Sequence, residues 1–166
     1  MKSEKALKKV LTAQLEGYKN LFDLLKKERA CLIDFNQREI EEVSKEKDML
    51  VLKLRLFEEE RLRLIEKLIK EMKNSEDYAK QLEERPIASV YEVSLMDLSR
   101  ITGDNDFIQI RLNLKSLIQG IEELNKFNKT LIDRSLSFIR NTNSFLKQMG
   151  VGKQKENIGT LLTKEA

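Results

Sequence analysis

The chain has 166 residues with a helix-rich composition: 40% are hydrophobic and 36% charged, with six glycines and one proline. Its net charge of only +3 argues against nucleic acid as a partner. It has no histidine, the commonest general base and zinc ligand, which excludes most hydrolase schemes. The single Cys31 cannot form a disulfide within the chain, and the apolar runs are far shorter than the roughly 20 residues of a membrane span. We therefore expect a cytoplasmic protein without a secretion signal or membrane insertion.

Apolar residues at a spacing of three and four predict a first long amphipathic helix. The stripe consists of Leu7, Leu11, Tyr18, Leu21, Leu25, Leu32 and Phe35. Phe22 and Leu24 widen this stripe, which favours packing against two neighbours over a two-stranded coiled coil. Asn36 followed by Glu39 has the layout of a capping box, so we expect a turn near residues 34–37.

A second stripe predicts another helix that reaches about residue 73. Its members are Ile40, Val43, Leu50, Leu54, Phe57, Leu64, Leu68 and Met72. Lys47 and Arg61 interrupt it where core residues would fall. Glu58, Glu59 and Glu60 point about 100° apart on a helix and cannot converge on one ion, so a solvated face is expected there. Two helices joined by a short turn predict an antiparallel hairpin.

The pattern weakens over residues 74–106, which predicts a connector. Pro86 disfavours helix at Arg85, and Gly103 precedes a polar cluster. Within this connector, residues 93–101 carry enough apolar side chains for a short helix over the hairpin.

A third long helix is predicted from Asp106, which forms a capping-box pattern with Gln109, to Met149. Its stripe consists of Ile110, Leu114, Leu117, Ile121, Leu124, Leu131, Phe138, Phe145 and Met149. Gly150 and Gly152 supply the stop signal. Gly17 and Gly120, inside helices, mark either a close approach of two helices or a glycine that the helix simply tolerates.

Together these elements predict an all-α fold. We expect a long antiparallel helical hairpin, a third long C-terminal helix and a short connecting helix. One helical-bundle domain is expected over residues 1–149, followed by a flexible tail over 150–166.

The distal part of the third helix carries more apolar surface than one side of a hairpin can bury. The residues expected to bind a partner are Leu131, Ile132, Leu136, Phe138, Ile139, Phe145 and Leu146. An exposed apolar strip of this kind suits a partner's amphipathic helix, and self-association into a homo-oligomer remains open. Bases outnumber acids along the helix, with Arg111, Lys115, Lys126, Lys129, Arg134, Arg140 and Lys147 against Glu122, Glu123 and Asp133. This excess favours an acidic partner helix.

No catalytic, cofactor-binding or metal-binding residues are predicted. Cys31 lies beside the apolar stripe and lacks a histidine to activate it, so we interpret it as a small hydrophobe. The run Gly150-Val151-Gly152-Lys153 follows a helix and lacks the spacing of a phosphate-binding loop. We therefore expect a protein that is not an enzyme.

Several segments, taken in order, resemble a known family. In the hairpin they are Leu24-Leu25-Lys26-Lys27-Glu28, Leu32, Ile40-Glu41-Glu42-Val43, Lys45-Glu46-Lys47, Glu59-Glu60-Arg61-Leu62 and Leu64-Ile65. In the third helix they are Leu124, Asn125, Asn128, Leu131-Ile132 and Ser135-Leu136-Ser137-Phe138. Their order and spacing over residues 15–149 resemble the FlgN family of flagellar type III export chaperones.

The resemblance implies a cytoplasmic chaperone without cofactors. Such a protein binds hook-associated (hook–filament junction) proteins, prevents their premature assembly and delivers them to the export gate. The family's C-terminal helix carries the substrate contact, in agreement with the strip predicted above. Related chaperones often contact the gate through a C-terminal tyrosine, but no tyrosine follows Tyr91 here, and Phe138 is the expected replacement. The alternative is a homodimeric coiled-coil scaffold without export cargo.

Overall fold

The computed structural model describes residues 1–74 and 89–150, and these ranges contain helices and no strand. The helices are α1 (Lys2–Asp34), α2 (Gln37–Lys73), α3 (Leu95–Thr102) and α4 (Asp106–Gln148), with a short 3₁₀ turn at Val90–Glu92. The predicted all-α fold class is confirmed. The predictions for Pro86 and for the tail from residue 151 onward, including Gly152, lie outside the described residues.

The chain divides into two compact units, Met1–Asn125 and a second that begins at Lys126. Helix α4 contributes to both units. The expected single domain over residues 1–149 stays a prediction. None of the described helices is long and apolar enough to cross a membrane.

A two-residue turn joins α1 to α2. Phe35 adopts a left-handed conformation with φ of 53°, and the N–H of Asn36 donates to the carbonyl of Cys31 at 3.1 Å. The side chain of Asn36 accepts from the N–H of Glu39 at 3.3 Å, so the predicted helix start is confirmed. The stripe prediction was wrong for Phe35, whose side chain is exposed because the residue belongs to the turn.

Two apolar clusters hold the helices of the first unit together. One joins the start of α1 to the end of α2, α3 and the start of α4; its fully buried members are Leu7, Leu11, Ile65, Leu68, Met72, Leu98 and Phe107. The other lies farther along the hairpin and contains Leu21, Leu25, Leu54 and Ile121. Helix α4 therefore packs on the hairpin through its first half.

Polar pairs also cross the seam between α1 and α2. They are Ser3 with Glu71 (Oγ to Oε1, 2.6 Å), Gln14 with Glu58 (Nε2 to Oε2, 3.0 Å) and Lys47 with Glu28 (Nζ to Oε1, 2.5 Å). Arg61 adds two hydrogen bonds to the carboxylate of Glu58, at 2.8 and 2.6 Å. The guanidinium of Arg61 therefore lowers the pKa of Glu58. The side chain of Glu58 stays half exposed while it makes these hydrogen bonds, and both interruptions of the second stripe, Lys47 and Arg61, belong to polar pairs.

The short helix α3 starts at a capping box that the sequence analysis overlooked. The hydroxyl of Ser94 accepts from the N–H of Asp97 at 3.1 Å, while the Asp97 carboxylate accepts from the N–H of Ser94 at 3.2 Å. At its other end, Gly103 takes a left-handed φ of 72°. The helix thus runs over Leu95–Thr102, close to the predicted 93–101.

Helix α4 begins one residue earlier than predicted, because the predicted cap, Asp106, already belongs to the helix. Asp106 is the first helical residue, and the carbonyl of Asn105 accepts from the N–H of Gln109 at 3.3 Å. Lys8 of α1 pairs with both Asp104 and Asp106, and its ammonium lowers the pKa of Asp104. This ion pair ties the start of α4 to α1.

Both helical glycines lie where helices approach closely. A Cβ added to Gly17 would lie 2.7 Å from Cδ2 of Leu54, and one added to Gly120 would lie 2.8 Å from Cε2 of Phe22. Real side chains do not approach so closely, so a larger residue at either site must displace its neighbour.

Replacing Gly17 with leucine is expected to lower the free energy of unfolding by about 1–3 kcal/mol, because the new side chain overpacks the seam against Leu54. Urea denaturation followed by circular dichroism measures the change. The matched control is Lys19→Leu, two residues away on an exposed position of the same helix. Equal stability of the two variants would contradict the close approach.

Replacing Lys47 with methionine is expected to cost about 3 kcal/mol, because the buried carboxylate of Glu28 loses its ammonium partner. The double variant Glu28→Gln/Lys47→Met should recover most of this loss, since neither charge then remains in the seam. Thermal and urea unfolding of the three proteins test the pair. A single variant as stable as the parent protein would show that the pair contributes nothing.

Candidate partner-binding surface

The last part of α4, residues 126–148, is here called the distal segment. Of the seven residues predicted to bind a partner, the structure exposes six and leaves Leu131 half-buried. The exposed six are Ile132, Leu136, Phe138, Ile139, Phe145 and Leu146. The largest exposed fractions belong to the aromatic side chains, with 68% for Phe138 and 59% for Phe145.

These side chains share one half of the distal segment. Two rows with seven-residue spacing run side by side along it: Leu131, Phe138 and Phe145 form one, and Ile132, Ile139 and Leu146 form the other. At about 100° per residue, the two rows and Leu136 cover roughly half of the helix circumference. The charged residues occupy the other half; they are Lys126, Lys129, Asp133, Arg134, Arg140 and Lys147. The segment is therefore amphipathic, with five bases and one acid.

One row of the apolar face of α4 becomes polar after Asn125, and a neighbouring row becomes apolar. In the first half, a row with seven-residue spacing holds Phe107, Leu114 and Ile121, and its continuation holds Asn128, Ser135 and Thr142. The neighbouring row becomes fully apolar there, with Ile132, Ile139 and Leu146. The two rows are four residues apart, which corresponds to a rotation of about 40°, and the row of Leu131, Phe138 and Phe145 continues that of Ile110, Leu117 and Leu124. The change coincides with the boundary between the two compact units.

The partner-binding prediction left out an apolar residue at each end of this face. Phe127 is 43% exposed and lies four residues before Leu131, while Met149 is 62% exposed and lies four residues after Phe145. Helical spacing alone is the signal that would have included them.

At the end of the helix, Gly150 adopts a positive φ of 79°, which confirms the predicted stop signal there.

A second exposed apolar group was missed altogether. Met49, Leu52 and Leu56 lie at helical spacing on α2 and are more than half exposed. They face away from the core residues Val43 and Leu54 of the same helix. Their spacing was visible in the sequence. The helix was predicted from the buried stripe on its other face, so these three residues were not considered as a surface.

The residues that could suggest chemistry have structural surroundings. Cys31 is buried, and its thiol donates to Oε2 of Glu39 at 3.3 Å. Burial raises the pKa of this thiol, and the neighbouring carboxylate raises it further, which keeps it protonated and poorly nucleophilic. In the described ranges, no group of three or more cysteine, aspartate or glutamate side chains is arranged to hold a metal ion.

A comparison with protein families gave a match over most of the chain. The family model described as FlgN protein matches residues 1–155. No curated protein and no solved structure gave a match.

Because Phe138 and Phe145 are exposed, changing both to aspartate is expected to lower the free energy of unfolding by less than about 1 kcal/mol. The contrasting variant is Phe107→Ala in the first half of the same helix, where the ring is fully buried and its loss should cost about 3–5 kcal/mol. Urea unfolding with helicity as the readout compares the two. If the aspartate variant unfolds as easily as Phe107→Ala, the distal face is part of the core.

Proposed function

Because this chain belongs to the FlgN family of flagellar export chaperones, we propose that it binds hook-associated proteins through the distal segment of α4. The family binds hook-associated proteins in general and is not a family of enzymes. The bound protein is kept from assembling early and is delivered to the type III export gate from the cytoplasm. The observation that best supports this proposal is the exposed apolar half of the distal segment.

The apolar half offers enough surface for a helical partner. Burying one leucine or phenylalanine side chain contributes roughly 1.5–3 kcal/mol, and a dissociation constant of 1 μM corresponds to about 8 kcal/mol. Association also costs translational and side-chain freedom, so several side chains must be buried together. A helix laid along both apolar rows would cover them at once, with Phe138 and Phe145 as aromatic anchors.

The charges of the distal segment favour a partner helix of opposite, negative charge. Its five bases and one acid flank the apolar half and give the segment a positive potential. An amphipathic helix with acidic flanks would be attracted to it and oriented on it, whereas a basic helix would be repelled. The proposed ligand is therefore an acidic amphipathic helix of a hook-associated protein.

Phe138 is also the proposed contact with the export gate, in the state in which no hook-associated helix covers it. It is the most exposed aromatic side chain of the distal segment, and no tyrosine follows Tyr91 in the sequence. A phenylalanine offers the same ring without the hydroxyl, so the contact with the gate would be apolar and would lack a hydrogen bond.

Changing both Phe138 and Phe145 to aspartate is expected to weaken binding of hook-associated proteins at least about a hundredfold, because two anchors are lost and a negative charge meets an acidic partner. The parent protein is first co-purified with hook-associated proteins from the same genome, and the mass of the complex is determined by light scattering. Titration calorimetry then compares the affinities.

The matched control changes the adjacent serines, Ser137→Asp and Ser144→Asp, on the polar side of the same helix. It adds the same charge at nearly the same positions, so retained binding would assign the effect to the apolar face. Equal affinity of the phenylalanine variant and the parent protein would refute the proposed surface. A self-dimer through α4 that no hook-associated protein can dissociate would instead support the scaffold alternative.

A further inference from the structure

The outer face of α2 carries an apolar group that no part of the described chain covers. Met49 is 66% exposed, and Leu52 and Leu56 are each 57% exposed. Spacings of three and four residues place them along one strip of the helix. Monomeric proteins leave single apolar side chains exposed, but three adjacent ones on a helix face suggest a contact surface.

The charges around this strip are arranged symmetrically about Leu52. Three pairs of opposite charge lie at equal distances before and after it: Lys45 and Glu59 at seven residues, Glu41 and Arg63 at eleven, and Arg38 and Glu66 at fourteen. At about 100° per residue, all six positions lie within about 40° of the direction of Leu52. The outer face of α2 therefore carries alternating charges that reverse sign when the helix is turned end to end.

Such a pattern is complementary to itself in antiparallel orientation. We propose that the outer face of α2 binds the same face of a second copy of this chain, with a two-fold axis next to Leu52. In this arrangement Lys45 of each copy meets the partner's Glu59, and Glu41 meets the partner's Arg63. The paired faces extend from Arg38 to Glu66, about 42 Å along the helix.

The residues beside Leu52 fit the same symmetry. Met49 lies three residues before it and Leu56 four residues after it, both toward the same side of the strip, so Met49 of one copy packs beside the partner's Leu56. Asp48 and Arg55 lie toward the other side, four residues before and three after, and meet as opposite charges. An apolar centre is thus surrounded by complementary charges, as in an isologous interface.

The contact should be weak and sensitive to salt. Three apolar side chains per copy bury little area, and exposed ion pairs contribute little individually and are screened by added salt. Arg38, Arg63 and Glu66 already pair within α2, with Glu42, Glu60 and Lys70 respectively. Across residues 1–74 and 89–150, no ion pair involves Lys45 or Glu59, which makes this pair the most informative one to change.

The test measures the mass of the full chain by sedimentation equilibrium from 1 to 500 μM, at low and at high salt. A dimer that dissociates at high salt is the expected result. Lys45→Glu and Glu59→Lys should each raise the dissociation constant of the dimer at least about tenfold, because each places like charges opposite one another twice. Combining the two changes should restore dimerisation, since the pair is then reversed but still complementary.

Two controls make the outcome specific. Lys9→Glu alters the net charge by the same amount on an exposed position of α1 and should leave the dimer intact. Phe138→Asp/Phe145→Asp should also leave it intact, because the distal segment is not involved. A protein that stays monomeric at 500 μM, or a dimer insensitive to Lys45→Glu and to Leu52→Asp, would overturn this inference. Neither result would affect the proposed binding of hook-associated proteins.

Discussion

The antiparallel seam between α1 and α2 is the constraint on which the rest of the structure depends. The two-residue turn at Phe35 and Asn36 leaves almost no freedom in how the helices align. Ser3 consequently faces Glu71 at one end, and Glu28 faces Lys47 near the other. A slip of one residue would rotate a helix by about 100° and remove its leucines from the core. The seam also builds the apolar cluster at the end of the hairpin that receives Phe107, so the start of α4 is fixed by the same register.

Periodicity was enough to predict the helices, because a stripe at a spacing of three and four survives isolated exceptions. The exceptions themselves could not be interpreted without the fold. Lys47 and Arg61 interrupt the stripe of α2. Only the position of α1 reveals that Lys47 pairs with Glu28 and that Gln14 binds the same carboxylate as Arg61. Phe35 looked like a member of the first stripe, since nothing in its spacing distinguishes the last core residue from the first turn residue. The Ser94 capping box, by contrast, was visible in the sequence and was overlooked.

The distal face was predictable for a related reason. Its apolar residues cover about half of the helix circumference, which exceeds what a helix can bury on one neighbour. The two halves of the helix differ in one row. The row that places Phe107 and Ile121 in the core continues as Asn128, Ser135 and Thr142, while the row of Ile132, Ile139 and Leu146 becomes apolar. The outer strip of α2 was missed because the buried stripe alone was enough to predict the helix. The three outer residues do not alter where that helix starts or ends, so they were not examined as a separate surface.

The two exposed surfaces differ in the kind of partner that their charges permit. The distal segment has a large apolar face but five bases against one acid. Two copies of it would bring like charges together, which disfavours self-pairing and favours an acidic partner of different sequence. The outer strip of α2 has a small apolar centre, yet its alternating charges reverse sign about Leu52. Binding of a different protein does not require that symmetry, whereas an isologous contact between identical chains does. Charge pattern therefore separates the roles of the two surfaces, which hydrophobicity alone would not distinguish.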